Sequence, residues 1–179
     1  MTFSVRRLEP QDHEVLRALR LRALSLEPHA FGSTFERESA FTDDTWRNRL
    51  RPEGNPHFAC FDDSGAPIGL VAGMLDHNDD QRIALLVGMW VDPHARSTGT
   101  ADALVEKVVL WSITQGCVAV RLHVTDGNAR AEGMYRRNGF ERTGRTFLRE
   151  RDGFPEVEME CQYNPDPDAA STATPAGGR

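Results

Sequence analysis

The sequence predicts a mixed α/β sheet flanked by helices, on three observations. Leu85, Leu86, Val87, Gly88, Met89, Trp90 and Val91 form a short apolar run stopped at Asp92-Pro93, as a buried strand does. Ala103, Leu104, Val105, Val108 and Val109 then recur at helical spacing and residues 119–125 alternate, so the middle of the chain reads as a strand-helix-strand crossover. On either side, paired runs with turn residues between them read as hairpins.

Residues 3–7 make a first strand. Pro10-Gln11-Asp12 opens a helix in which Val15, Leu16, Leu19 and Leu26 share a face, with Ala18, Ala23 and Leu24 at its edges, and Pro28 closes it. Residues 31–38 have no clear period and read as irregular. Asp43 and Asp44 cap a short helix through Trp46 and Leu50, ended by Pro52 and Gly54. Residues 57–61 and 67–75 pair around Asp62-Asp63-Ser64-Gly65. The charged loop His77-Asn78-Asp79-Asp80-Gln81 then leads into the central strand, and the helix after that strand runs up to Gly116. In strand 119–125, Val120, Leu122 and Val124 alternate with Arg121, His123 and Thr125. Asp126-Gly127-Asn128 turns into a helix carrying Met134 and Tyr135, which stops at Asn138-Gly139 with glycine as the left-handed cap. Residues 141–149 and 157–161 form a last hairpin around Asp152-Gly153. Beyond Tyr163 the composition turns to Pro, Ala, Ser, Thr and Gly, too poor in apolar surface to offset its ordering entropy. One domain over residues 1–163 and a disordered tail over 164–179 are therefore expected.

Composition removes several classes of function. A net charge of −6 with no basic stripe speaks against a general nucleic-acid binder. The first residues lack the apolar core of a signal peptide and the longest apolar run is far too short to span a bilayer, so no membrane association and a cytoplasmic location are expected. Cys60, Cys117 and Cys161 are odd in number and form no C-x-x-C pair, which argues against a disulfide framework or a zinc site; core packing accounts for them, and no metal is expected.

The chemistry concentrates in two blocks. Arg96-Ser97-Thr98-Gly99-Thr100-Ala101 is a loop of small residues that opens a helix, where unpaired amides and the helix dipole make an anion site, with Arg96 adding a charge at its rim. A phosphate loop of the NTPase kind would need Lys and then Ser or Thr after its last glycine, and a dinucleotide fingerprint would need three glycines; the residues here satisfy neither. Downstream, Asn128, Ala131, Tyr135, Gly139 and Phe140 form the pattern Asn-x-x-Ala-x-x-x-Tyr-x-x-x-Gly-Phe behind a strand.

Together the two blocks resemble the GCN5-related N-acetyltransferase (GNAT) superfamily, whose pyrophosphate loop reads Arg or Gln, x, x, Gly, x, Gly or Ala, with Val91-Asp92-Pro93 its usual lead-in. The resemblance covers roughly residues 3–161. It implies a central strand and a following strand that splay apart, with acetyl-CoA as co-substrate in the opening and its pantetheine arm paired to the backbone of Met89, Trp90 and Val91. The Trp90 side chain is read equally as a cofactor contact or as core. Arg96 would contact phosphate oxygens, and the amides of Ser97, Thr98, Gly99, Thr100 and Ala101 would cradle them. Ser97 stands where glycine is usual; serine fits at negative φ and strains the loop at positive φ. Asn128 either contacts pantetheine or caps the helix behind it.

Direct transfer of acetyl from a thioester to an amine poses two proton problems. Tyr135 matches the tyrosine that protonates the leaving thiolate in relatives, and a phenol stays protonated at neutral pH. For the base, His123 lies five residues ahead of Asn128, where ribosomal-protein N-terminal acetyltransferases resembling this chain carry a glutamate; imidazole accepts a proton directly or through water. Glu36 and Glu38 compete for that role, in a stretch that folds over the acceptor site in relatives, with Phe31 and Phe35 as pocket walls or core. The expected activity is acetyl-CoA-dependent N-acetylation of a small-molecule amine, such as an amino-acid derivative, a polyamine or an amine antibiotic. A protein N-terminal or lysine amine is the rival acceptor. A non-catalytic acyl-CoA-binding module is the rival class, and the retained Tyr135 argues against it. A homodimer is the oligomer that the resemblance suggests.

Overall fold

A computed structural model describes residues 2–77 and 82–163. Most of the charged loop before the central strand, residues 78–81, and the tail expected to be disordered, 164–179, lie outside the described residues. The elements in chain order are β1 (Phe3–Arg7), α1 (His13–Leu26), α2 (Phe35–Ser39), α3 (Asp43–Arg49), β2 (His57–Asp62), β3 (Pro67–Asp76), β4 (Ile83–Val91), α4 (Thr100–Thr114), β5 (Ala119–Thr125), α5 (Ala129–Arg137), β6 (Glu141–Leu148) and β7 (Pro155–Gln162).

Seven strands form one sheet in the order β1-β2-β3-β4-β5-β7-β6, antiparallel at every step except the parallel step from β4 to β5. The parallel step is the crossover through α4, as the middle of the sequence predicts. Helices cover both faces. Leu104, Val105 and Val108 of α4 pack with Ala84, Leu86, Val120 and Leu122 on one side, where Tyr135 and Phe140 join them. Leu16, Leu19 and Leu24 of α1 pack with Trp46, Leu70 and Trp90 on the other. Gly73 lets α4 come close, since a Cβ there would lie 2.5 Å from the Trp111 ring.

Several boundaries follow local chemistry that the apolar pattern does not carry. Leu26, read as part of the α1 core face, is 52% exposed because the helix ends there and the chain turns away. The cap of α3 is Thr42, whose hydroxyl accepts from the Thr45 amide, while Asp43 and Asp44 sit in the first turn where they favour the dipole. The stretch read as irregular holds the one-turn helix α2, started by Thr34 accepting from the Arg37 amide. Five residues are too few to show a 3.6-residue period.

The decisive irregularity lies in β4. Leu70 of β3 opposes Trp90 while Ala72 opposes Val87, so Val71 faces both Gly88 and Met89 across a bulge. Gly88 takes φ +63°, a left-handed conformation natural to glycine. The extra residue reverses the alternation: Leu86 and Val91 stay with the α4 core, and Trp90 turns into the α1 core.

Burial lowers His57 from 6.5 to about 4, helped by the charges of Arg49, Arg20 and Arg7 and opposed by its contact with the Asn55 carbonyl. Between those two pH values the unfolded chain carries a proton that the folded chain refuses, so acid works against folding. The stability due to this group is complete above about pH 6.5 and declines by roughly 1 kcal/mol per pH unit toward about pH 4. In urea titrations at several pH values across this window, His57→Gln is expected to show a shallower acid slope than the unaltered chain; parallel slopes would refute the assignment.

Candidate active site

Beyond Leu85 the two central strands part. β4 and β5 pair only through Ile83–Ala119, Ala84–Val120 and Leu85–Arg121. From Leu86 onward β4 keeps its partner β3 and β5 keeps its partner β7. One edge of each strand therefore faces an opening in which backbone donors and acceptors have no strand partner. The cavity there has a volume of about 640 Å³. β4 and β5 form its walls, α5 one flank, the loop before α4 one end, and the segment 30–33 with Arg20 the other contacts.

At the α4 end, Pro93–Ala95 makes a single tight turn fixed by Asp92, which accepts from the His94 amide and pairs with Arg22 at 2.7 Å. Ser97 takes φ +63° and Gly99 φ +89° before the helix starts at Thr100. Among the described residues no backbone or side-chain acceptor takes the amides of Ser97 to Ala101, so they stand ready for an anion. Arg96, Ser97, Gly99 and Ala101 reach the cavity wall. Thr98 and Thr100 do not; the Thr98 hydroxyl donates to the Ala95 carbonyl and meets the Thr100 hydroxyl at 2.9 Å, so these two brace the loop from inside. The Arg96 guanidinium is already held, donating Nε to the Val91 carbonyl at 3.1 Å and Nη2 to Glu27. It is thus anchored at the rim with one terminal nitrogen uncommitted.

Tyr135 lies at the α5 flank, buried, with its ring tilted against Phe140 at 5.8 Å. Burial pushes its phenol above the ordinary value, which keeps the proton in place. Among the described residues nothing hydrogen-bonds its hydroxyl. Asn128 caps α5, its Oδ1 accepting from the Ala131 amide at 3.1 Å, while its side chain also borders the cavity. Met89 and Val91 line the cavity; Trp90 borders it, but the residue is 2% exposed and belongs to the α1 core.

The base candidates separate. His123 borders the cavity from β5, on the face opposite the buried Leu122 and Val124, and packs its ring against Phe147 at 4.6 Å. Directly across on β7 stands Glu158, whose carboxylate is 3.6 Å from His123 Nε2 and accepts from the Thr143 hydroxyl at 2.8 Å. Glu38, by contrast, does not line the cavity. It is 1% exposed and clamped by Arg20 and Arg49 at 2.9 and 3.1 Å. Burial alone would raise its carboxyl, but these guanidinium groups outweigh that and hold it below the ordinary range, so it is a structural anion. Glu36 and Phe35 face solvent on α2 and are not brought to the cavity either, whereas Phe31 is.

Sequence reading passed over Glu158 and the cations Arg20, Arg130 and Arg137, all three of which border the cavity. The signal for Glu158 was present: Glu156, Glu158 and Glu160 alternate with Val157 and Met159, and register sets the last two carboxylates against His123 and Arg121. The hairpin turn at Asp152-Gly153 is where the sequence places it, but the contacts of its arginines were passed over. Arg149 donates to the His29 carbonyl at 2.7 Å and Arg151 to the Ser33 and Pro28 carbonyls at 3.0 Å, strapping the β6–β7 turn to the segment after α1.

The family model of the acetyltransferase (GNAT) family matches residues 19–140. The chain belongs to the GNAT family of acetyltransferases. No curated protein matches its sequence significantly. Among solved structures, a GNAT-family acetyltransferase from Streptococcus pneumoniae superposes with a TM-score of 0.74 at 20% identity, covering 90% of this chain and 100% of that one. The yncA protein of Salmonella typhimurium, solved with its cofactor acetyl-CoA, gives 0.72 at 14% identity over 92% and 95%. A chimera of the Vibrio cholerae spermidine N-acetyltransferase SpeG gives 0.66 at 20% identity over 90% and 96%. At these identities the likeness speaks to the fold, which is the GNAT fold with its parted central strands. Buried Cys60 and Cys117 and half-buried Cys161 have thiols pushed up by burial, and no cluster of His, Cys, Asp or Glu among the described residues could hold a metal. No helix there is long and apolar enough to cross a membrane.

The positive φ at Ser97 costs a non-glycine residue about 1–2 kcal/mol. Ser97→Gly is therefore expected to raise Tm by roughly 2–4 °C, after the larger unfolded-state entropy of glycine is subtracted, and Ser97→Val to lower it. An unchanged or lower Tm in Ser97→Gly would show that the loop is unstrained.

Proposed function

We propose that this GNAT protein is an acetyl-CoA-dependent N-acetyltransferase acting on a small-molecule amine. The observation that carries the reading is the parted β4–β5 edge ending at unpaired loop amides, with the Tyr135 ring bordering the same cavity. The residues fit the cofactor on their own terms. The amides of Ser97 to Ala101 suit a pyrophosphate, the free β4 edge from Leu86 to Val91 suits an amide-bearing arm, and Arg130 and Arg137 add positive charge along α5. Acetyl-CoA, when bound, supplies the acyl group as a thioester.

His123 takes a proton from the acceptor ammonium, directly or through water, and frees the nitrogen for attack on the carbonyl. Glu158 orients the imidazole and offsets the charge it acquires. Tyr135 donates its proton to the sulfur as the C–S bond breaks, so thiol leaves and an N–C bond has formed. The strap from Arg149 and Arg151 holds the segment 28–33, part of which borders the cavity, and such a tied boundary suits a compact acceptor.

Calorimetry with acetyl-CoA and thiol release over a panel of amines test the reading, and absence of heat would remove it. Tyr135→Phe is expected to lower kcat about a hundredfold while acetyl-CoA affinity stays nearly unchanged; unchanged turnover excludes Tyr135 from proton transfer. His123→Ala is expected to flatten the acidic limb of the rate profile, and Glu158→Gln to lower kcat by a smaller factor. An intact limb in His123→Ala would assign the base elsewhere.

A further inference from the structure

The acceptor end of the cavity carries an unbalanced positive charge. Arg20 donates Nε and Nη2 to Glu38, with Nε 3.1 Å and Nη2 2.9 Å from its oxygens, and Arg49 reaches the same carboxylate at 3.1 Å. Two guanidinium groups therefore share one carboxylate. The neighbouring charges are matched: Arg149 sits with Asp152 and Glu156, and His123 and Arg145 with Glu158. Arg20 Nη1 is buried and has no hydrogen-bond partner among the described residues. It lies 3.7 Å from where a Cβ on Gly88 would stand, at the bulge of β4, and Arg20, Gly88 and Gly32 all border the cavity. Gly88 has no side chain to screen the guanidinium, which also meets the Phe31 ring at 4.7 Å.

A desolvated guanidinium N–H without an acceptor is unfavourable, and a carboxylate is the group that satisfies it best. The same cavity is bordered by Glu156 and by His123, whose imidazole, with Glu158 3.6 Å behind it, suits an ammonium. Resting on the acetyltransferase reading above, we propose that the acceptor is an amino carboxylate, its carboxylate held by Arg20 beside Gly88 and its amine held toward His123. A polycation such as a polyamine would set a charge against Arg20 with nothing to neutralise it.

The test is a panel of L-amino acids, each paired with the amine that lacks only the carboxylate, assayed by thiol release with acetyl-CoA. At least one amino acid is expected to exceed its decarboxylated partner roughly ten- to a hundredfold in kcat/KM, the range of a charge-assisted hydrogen bond. Arg20→Gln is expected to erase that preference, raising KM for the amino acid far more than for the plain amine. If Arg20→Gln fails to fold, Arg20→Lys keeps the ion pair with Glu38 and is expected to reduce the preference. Equal or better turnover of the plain amines, no turnover of any amino acid, or a preference that survives in the variants would overturn the proposal. Calorimetric binding of acetyl-CoA separates these outcomes from failure of the acetyltransferase reading, which loss of that binding alone would signal.

Discussion

The constraint on which the molecule depends is the short pairing between β4 and β5. Three residue pairs join them, and then each strand is held by its outer neighbour and pulled away from the other. Backbone groups of a central strand that have lost their partner are normally unfavourable when removed from water. They persist here because the strands are fixed by cores on both faces: α4 grips the first half of β4 through Leu86, while the bulge at Gly88 hands Trp90 to the α1 core. The two grips act on opposite faces of one strand. Closing the opening would undo one of them, so the cavity is a consequence of packing and needs no ligand to hold it apart.

This arrangement separates what the amino-acid pattern discloses from what it conceals. The crossover and both hairpins are visible locally, because apolar runs of strand or helix length are separated by turn residues at Asp62–Gly65, Asp92-Pro93 and Asp152-Gly153. The face taken by Trp90 is not visible, since a single bulged residue reverses it and nothing but Gly88 marks the place. At the cavity, the places of Tyr135 and of the loop before α4 follow from spacing, whereas the surroundings of His123 and Glu38 do not. Glu38 and His123 differ in what surrounds them in space: two guanidinium groups three-dimensionally adjacent to the first, and one cross-strand carboxylate beside the second. Sequence distance between Arg20, Glu38 and Arg49 hides a cluster that is tight in the folded chain.

That cluster also shows how a buried ion pair contributes position more than stability. Removing three charges from water is costly, and their mutual attraction offsets this only in part. What the clamp achieves is to fix α1, α2 and α3 relative to one another, since Arg20 comes from the first, Glu38 from the second and Arg49 from the third. The same fixation sets the segment 30–33 against the cavity, and the strap from Arg149 and Arg151 completes it from the β6–β7 turn. The acceptor end is thereby built from two distant parts of the chain, each rigid because its carbonyls and carboxylates already have partners.

At the other end the loop before α4 uses strain to the same purpose. A helix start could be reached without a non-glycine residue in the left-handed region, and Asp92, Thr98 and Thr100 supply enough internal hydrogen bonds to brace a relaxed turn. The φ of Ser97 has a different effect: with Gly99 it rotates successive amides toward the same concavity, where the dipole of a fifteen-residue helix reinforces them. Such strain survives only where the surroundings over-determine the conformation. Here they do, because the Arg22–Asp92 pair holds the turn to α1 and Arg96 is tied both to the end of β4 and to Glu27. The loop of unpaired amides is therefore secured by the same helix that carries Arg20, so a movement of α1 would reach both ends of the cavity at once.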